Sequence, residues 1–269
     1  MELISGLKAM YMFRVFTLLF CCCGVVFLAQ PTTAQQKWDY SCTLLDLLYP
    51  SYVVSGRSPI PLSVEVLGAK EVLGEEMAKR LTYEWTLSQG QIASGQGTPR
   101  ILVRPNEIRG VADILVNMRL IGGHPACETE KSFSIKIDSE CIPPNKLDEY
   151  GDISYGDEKA HLDNIAAKLA ADPTSIVYIL TYAGRASCFW EAQSRAARAK
   201  QYLIKQHEIQ EPRIITADNG YRENLTVELF IAPRGSCGPL PTPTVPTSEI
   251  RLEGSCQEKY QKRNEPIEP

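Results

Sequence analysis

The chain has 269 residues, of which 44% are hydrophobic and 22% charged, and its net charge is −4. That length holds one large domain or two small ones, with enough apolar residues for a sizeable core. The mildly acidic total argues against a nucleic-acid binder, which would present a basic face, and leaves small ligands, weakly charged polymers and proteins as partner classes.

At the N-terminus, Lys8 and Arg14 precede an uncharged stretch, 15–29, that contains Leu18, Leu19, Phe20, Val25, Val26, Phe27 and Leu28. Pro31, Thr32, Thr33 and Ala34 then place small residues at the −3 and −1 positions of a cut before Gln35. Charged, apolar and small-residue regions in that order read as a secretory signal over 1–34. The alternative is a retained anchor, since the apolar run reaches across a thin bilayer. Only in that case would the chain touch a membrane. Lipoprotein processing at Cys21, Cys22 or Cys23 does not fit, because bulky Phe20 stands where a small residue is expected.

Six cysteines follow the signal: Cys42, Cys127, Cys141, Cys188, Cys237 and Cys256. An even number in an exported chain fits disulfides, with many possible pairings. For Cys188 a structural bridge, for instance to Cys237, is the ordinary fate. None forms a Cys-x-x-Cys pair, so a zinc site is not expected, and no other cofactor is implied.

Residues 35–141 read as all-β. Apolar and polar residues alternate over 61–67, 81–87, 101–104, 112–120 and 132–137, as in strands with one buried face. Gly- and Pro-containing turns separate them, which predicts an antiparallel sandwich. The run Tyr83, Glu84, Trp85 followed by Gly90, Gly95 and Gly97 resembles the Tyr-x-Trp…Gly region of PKD-type and related Ig-like envelope domains. The resemblance implies an architecture in which a central-strand Trp packs between two sheets.

Cys141, Pro143 and Pro144 end that pattern, and 142–147 reads as a linker. Over 157–171, Leu162, Ile165, Ala166 and Leu169 recur at helical spacing. Residues 175–181 are nearly all apolar, as in a strand covered on both faces. A second helix over 191–205 carries Ala192, Ala196, Ala199 and Leu203 on one face, and strands follow at 213–216 and 225–232. With 152–155 as a first strand, the order is βαβαββ in a small α/β domain over 148–238. Asn219 and Gly220 suit a turn into the last strand. The proline-rich run from Pro239 to the end predicts an extended, disordered tail, 239–269.

The α/β segment resembles the OmpA-like C-terminal domain family. The likeness covers 148–233 and rests on helix, apolar strand and loop, then Arg195, Ala196, Ala199, Tyr202 and Leu203, which fit the family's Arg-Ala…Tyr-Leu helix. The whole chain therefore reads as α+β: a PKD/Ig-like sandwich followed by an OmpA-like α/β domain. The resemblance implies an exported, non-enzymatic protein of the periplasm or cell envelope that holds peptidoglycan non-covalently. In the family an Asp takes the ammonium of diaminopimelate and the helix Arg takes its carboxylate, one partner for each sign.

Arg195 falls on that arginine. Where the family reads Gly-His-Thr-Asp, this chain reads Ile179, Leu180, Thr181, Tyr182. Arg195, Tyr182 and Thr181 are thus the expected ligand-contacting residues. Tyr182 offers a hydrogen bond and no negative charge, and losing a charge-assisted bond costs about 1.5–3 kcal/mol. The alternative function is an envelope protein–protein interaction module that has lost peptidoglycan binding.

Arg195 can be a helix-surface arginine paired with Glu191 four residues earlier. Trp190 can pack against the sheet or stack on a sugar or partner. His124, His161 and His207 lie in separate elements, and no nucleophile elbow, P-loop or HExxH is present, so no catalytic residue is assigned.

Overall fold

A computed structural model describes residues 44–67, 75–105, 108–123, 127, 129–246 and 249–263. The expected signal, Cys42, His124 and the end of the tail lie outside the described residues. The described residues all belong to one compact unit, Asp39–Pro269.

The first half forms two four-stranded sheets. One has the order β1 (Leu44–Leu48), β3 (Ile60–Leu67), β6 (Arg100–Arg104), β5 (Gln91–Ser94), all antiparallel. The other has the order β2 (Val54–Ser55), β8 (Glu130–Asp138), β7 (Val111–Ile121), β4 (Thr82–Leu87). Along β7, Ile114, Val116, Met118 and Leu120 point inward while their neighbours are exposed, the two-residue period of a sheet with one wet face. Trp85 on β4 is buried opposite Met118, and its indole N–H donates to the Thr98 carbonyl at 2.9 Å. That bond satisfies the ring's only donor inside the core. β3 departs from the simple alternation: Ser63 and Glu65, expected to face solvent, are buried too. The second face of this strand is covered from later in the chain, where the Tyr221 hydroxyl donates to Glu65 Oε2 at 3.3 Å.

The second half is a sheet of order β12 (Ile214–Tyr221), β10 (Ser175–Ala183), β13 (Thr226–Pro233), β9 (Lys146–Tyr150). β10 and β12 run parallel; the other pairs are antiparallel. Helices α1 (Tyr155–Ala171) and α2 (Glu191–His207) cover one face, where Leu162, Ile165, Leu169, Ala199 and Leu203 meet Val177, Ile179, Val227 and Leu229. Every residue of β10 is buried, as its apolar run predicts. On the opposite face, Ile176, Tyr178, Leu180, Tyr182, Phe230 and Ala232 join the same apolar cluster as the sandwich core. The sandwich and the second sheet share one apolar cluster, because β10 is apolar on both faces.

The first strand of this sheet is Lys146–Tyr150, not 152–155, so the expected linker already contains strand residues. Tyr150 turns inward, and Ser154 then caps α1, its hydroxyl accepting from the Asp157 N–H at 3.2 Å. At the other end of α1, Asp172 accepts from the Thr174 N–H at 2.9 Å, the Thr174 hydroxyl at 2.7 Å and the Ser175 hydroxyl. The Ser175 and Thr174 hydrogen bonds lower its carboxyl to about 2. The unfolded value is about 3.9, so the contribution is present above that pH and is lost as pH falls through the folded value. Asp172→Asn is expected to flatten the loss of stability between about pH 4 and pH 2, checked by urea titrations across that window.

Cys141–Cys237, with Cα atoms 5.8 Å apart, and Cys188–Cys256, at 5.0 Å, are disulfides joining described residues. Cys127 is also disulfide-bonded. The expected bridge from Cys188 to Cys237 does not form. Cys237 is held beside β2, since the next residue's N–H donates to the Val53 carbonyl at 2.7 Å. Cys141 meets the same strand through the Ser55 hydroxyl at 3.1 Å. Gly238 is required there, because a methyl group would collide with the Tyr52 ring and stand 2.8 Å from Tyr178 Cε1.

The expected disordered tail is ordered over its described residues. Residues 239–246 run as a strap: the Thr242 N–H donates to the Tyr182 hydroxyl at 3.1 Å, and the Thr244 and Val245 N–H groups donate to the Tyr221 carbonyl. Strand β14 (Arg251–Ser255) then pairs in parallel with β11 (Ala186–Phe189), and helix α3 (Cys256–Gln261) follows. Low hydrophobicity predicted disorder, but order comes from tertiary partners and the Cys188–Cys256 bond.

Candidate functional site

Between α1, α2 and α3 lies a cluster of charged side chains on what would otherwise be apolar helix faces. Glu158 of α1 is fully buried. It accepts from the Tyr150 hydroxyl at 3.0 Å, from Arg195 Nη1 at 3.4 Å and from Arg198 Nη2. Arg195 is only 1% exposed; it also pairs with Asp152 and donates from Nε to the Tyr260 hydroxyl at 3.1 Å. That hydroxyl donates in turn to Glu191 Oε1 at 2.9 Å. Lys259 bridges Glu191 and Asp152, and Arg263 grips Asp152 with two bonds of 2.8 and 2.9 Å.

The electrostatics follow from these partners. Burial works against a charged Arg195, but Tyr260, Glu158 and Asp152 outweigh it and raise its pKa further. Burial likewise raises the Asp152 carboxyl, and Arg263, Lys259 and Arg195 together pull it below the usual range. Burial pushes the Tyr260 phenol up, so it stays neutral and serves both neighbours. The cluster is an internally compensated network, closed from above by the C-terminal helix. Isolated buried charges would cost several kcal/mol each, and this pairing is what makes their burial tolerable.

The three expected ligand residues are not brought together. Tyr182 lies on the sandwich face of β10, with Tyr178 and Leu180, whereas α2 and Arg195 lie on the helix side. Successive side chains of a strand point to opposite faces, so the sheet itself separates the two. Tyr182 is fully buried; its hydroxyl donates to Glu228 Oε2 at 3.0 Å, and the Arg222 guanidinium stacks on its ring at 3.8 Å. Glu228 is further held by Arg222 at 2.9 Å and Lys146 at 3.2 Å. Thr181 is buried and donates to the Ala217 carbonyl at 3.1 Å. None of the three presents a polar group to solvent. Arg195 also pairs with Glu158 and Asp152 rather than with Glu191.

No family model matches the chain, and no curated protein matches it.

Trp190, expected against the sheet, is instead 57% exposed, with its backbone in the left-handed region at φ 64°. Gly220, expected in a turn, lies inside β12 with φ 82°, opposite a register shift in β10. His161 pairs with Asp148 at 2.7 Å and His207 with Asp163 at 2.7 Å, in different places. Among the described residues no group of three His, Cys, Asp or Glu is placed to hold a metal.

Sequence reasoning missed Asp152, Glu158, Arg198, Lys259, Tyr260 and Arg263, and took Glu191 only as a surface partner of Arg195. A signal was present in part. Glu158 sits four residues before Leu162 and seven before Ile165, on the buried stripe of α1. Glu191, Arg195 and Arg198 lie among Ala192, Ala196 and Ala199 on that of α2. Charges of both signs on facing apolar stripes announce a buried network. The contribution of Lys259 and Tyr260, from a segment read as disordered, had no local signal.

Proposed function

We propose that this chain is an exported, non-enzymatic cell-envelope protein whose OmpA-like part serves as a protein-interaction module and does not grip peptidoglycan in its capped form. One observation carries the reading: Arg195, the residue that would take a ligand carboxylate, is compensated by Glu158 and Asp152 and covered by Tyr260. A guanidinium already matched by two carboxylates gains little from a third, and reaching it requires moving the helix above it. The disulfides fit an oxidising compartment, and among the described residues no helix is long and apolar enough to cross a membrane. Tyr182 on the far side of the sheet supports loss of the two-sign clamp.

A second reading, peptidoglycan association, is favoured by the placing of Asp152 and Glu191 around Arg195, an opposite-charge set able to take a zwitterion once α3 has moved away. Co-sedimentation of the full chain with isolated peptidoglycan separates the two. The protein is expected to stay in the supernatant at both low and physiological salt, while crosslinking in intact cells yields a discrete protein adduct. Saturable pelleting with the wall that survives physiological salt would support the second reading.

A further inference from the structure

Three features meet at the C-terminal segment. The Cys188–Cys256 bond ties it to the body, and Cys188 lines an open groove of about 390 Å³ whose walls also carry Glu253, Glu258, Lys259, Lys262 and Arg263. Of its three cations, Lys259 and Arg263 are paired with Glu191 and Asp152, and Lys262 stands on the groove wall outside those pairs. Cys256 opens α3, one turn before Lys259. Beneath the same helix lies the Glu158–Arg195–Arg198 cluster, which Lys259, Tyr260 and Arg263 cover from the C-terminal side.

We infer that Cys188–Cys256 is an exchangeable latch, and that its reduction by a dithiol of the thiol–disulfide exchange class releases residues 251–261 and uncovers the charged cluster. A thiolate entering the groove attacks Cys188 Sγ; the sulfur–sulfur bond breaks and its electron pair leaves on Cys256. The second thiol of the reductant, as thiolate, then attacks the mixed disulfide on the reductant's sulfur and frees Cys188. The reductant ends as a disulfide, and the two protein sulfurs take up the two protons the dithiol has lost. Exchange is faster when the leaving thiol is more acidic, and nearby cations make it so. Lys262, which lines the same groove as Cys188, is the cation placed to act on the exchanging sulfurs.

Once the bond is open, the segment is held by the short β11–β14 pairing, by the buried Tyr260 with its bonds to Arg195 and Glu191, and by ion pairs whose outer members are partly exposed. Elements held by few contacts open locally with low free energy. The released face carries Glu158, Glu191 and Asp152 beside Arg195 and Arg198, so the latch controls access to a site of mixed charge. The release concerns the chain itself and holds whichever partner it meets.

The test treats the purified full chain with dithiothreitol under native conditions, traps thiols by alkylation over time and maps them by mass spectrometry. Accessibility alone ranks Cys141–Cys237 as the first to open, since Cys141 is partly exposed while Cys188 and Cys256 are buried. The latch predicts the reverse order, with Cys188–Cys256 reduced about tenfold faster, and slowed severalfold by Lys262→Glu. Hydrogen exchange over 251–261 is expected to rise about tenfold after reduction, and the Cys188→Ser/Cys256→Ser variant to show that faster exchange without any reductant. The latch is overturned if Cys141–Cys237 opens first or together with it. It is equally overturned if 251–261 keeps its protection once Cys188 and Cys256 are alkylated.

Discussion

Glu158→Ala is expected to cost about 3–5 kcal/mol of stability, the range found when one partner of a buried ion pair is removed. Its carboxylate is fully buried and is the common acceptor for Tyr150, Arg195 and Arg198. Alanine would leave Arg198 facing a hole and Arg195 dependent on Asp152 and Tyr260. Glu158→Gln, which keeps the volume and one acceptor, is expected to fall between the two. Replacing both Glu158 and Arg198 by methionine is expected to recover much of the loss, because a matched apolar pair removes the uncompensated charge along with the carboxylate. Urea unfolding followed by far-ultraviolet circular dichroism measures all four proteins. A loss below about 1 kcal/mol for Glu158→Ala would place the network at the surface, where ion pairs contribute little.

The second large effect belongs to the sandwich. Trp85→Ala is expected to lose about 3–5 kcal/mol, through the apolar contacts of a fully buried indole and the cavity it leaves. Its Nε1–H bond to the Thr98 carbonyl adds to this, since the carbonyl would be left without that donor. The Gln96 side chain also bridges the Trp85 backbone, accepting at 3.2 Å and donating at 3.0 Å. Because the sandwich core and the far face of the second sheet are one apolar cluster, the loss should appear as a single shifted transition. Two separated transitions would mean that the halves unfold independently.

Much of the architecture was legible because it is written in short-range periodicity. The alternation of β7, the all-apolar run of β10 and the helical spacing of Leu162, Ile165, Ala166 and Leu169 each found their element. Less legible was anything decided by tertiary partners. β9 reads Lys146, Leu147, Asp148, Glu149, Tyr150; on propensity alone a charged edge strand of this kind resembles a linker. The strap and the C-terminal helix carry few apolar residues and owe their order to Tyr182, Tyr221 and the Cys188–Cys256 bond.

The candidate site shows the same division. The helix motif singles out Arg195, but it says nothing of what lies above that residue. The separation of Tyr182 from Arg195 follows from strand parity in β10, because Ile179 faces the helices and Tyr182 the sandwich. That parity was readable once the strand had been placed. The pairing of Cys188 with Cys256 was not, since it depends on a segment folding back across 68 residues of sequence.

The most direct measurement is the rate at which phenylglyoxal modifies each arginine of the oxidised full chain, read by peptide mass spectrometry. A covered and compensated cluster predicts that Arg195 and Arg198 react at least about tenfold more slowly than the exposed Arg104 and Arg109. Modification of Arg195 at the rate of those surface arginines would mean that α3 does not close over the cluster, and the account of a capped site would be wrong.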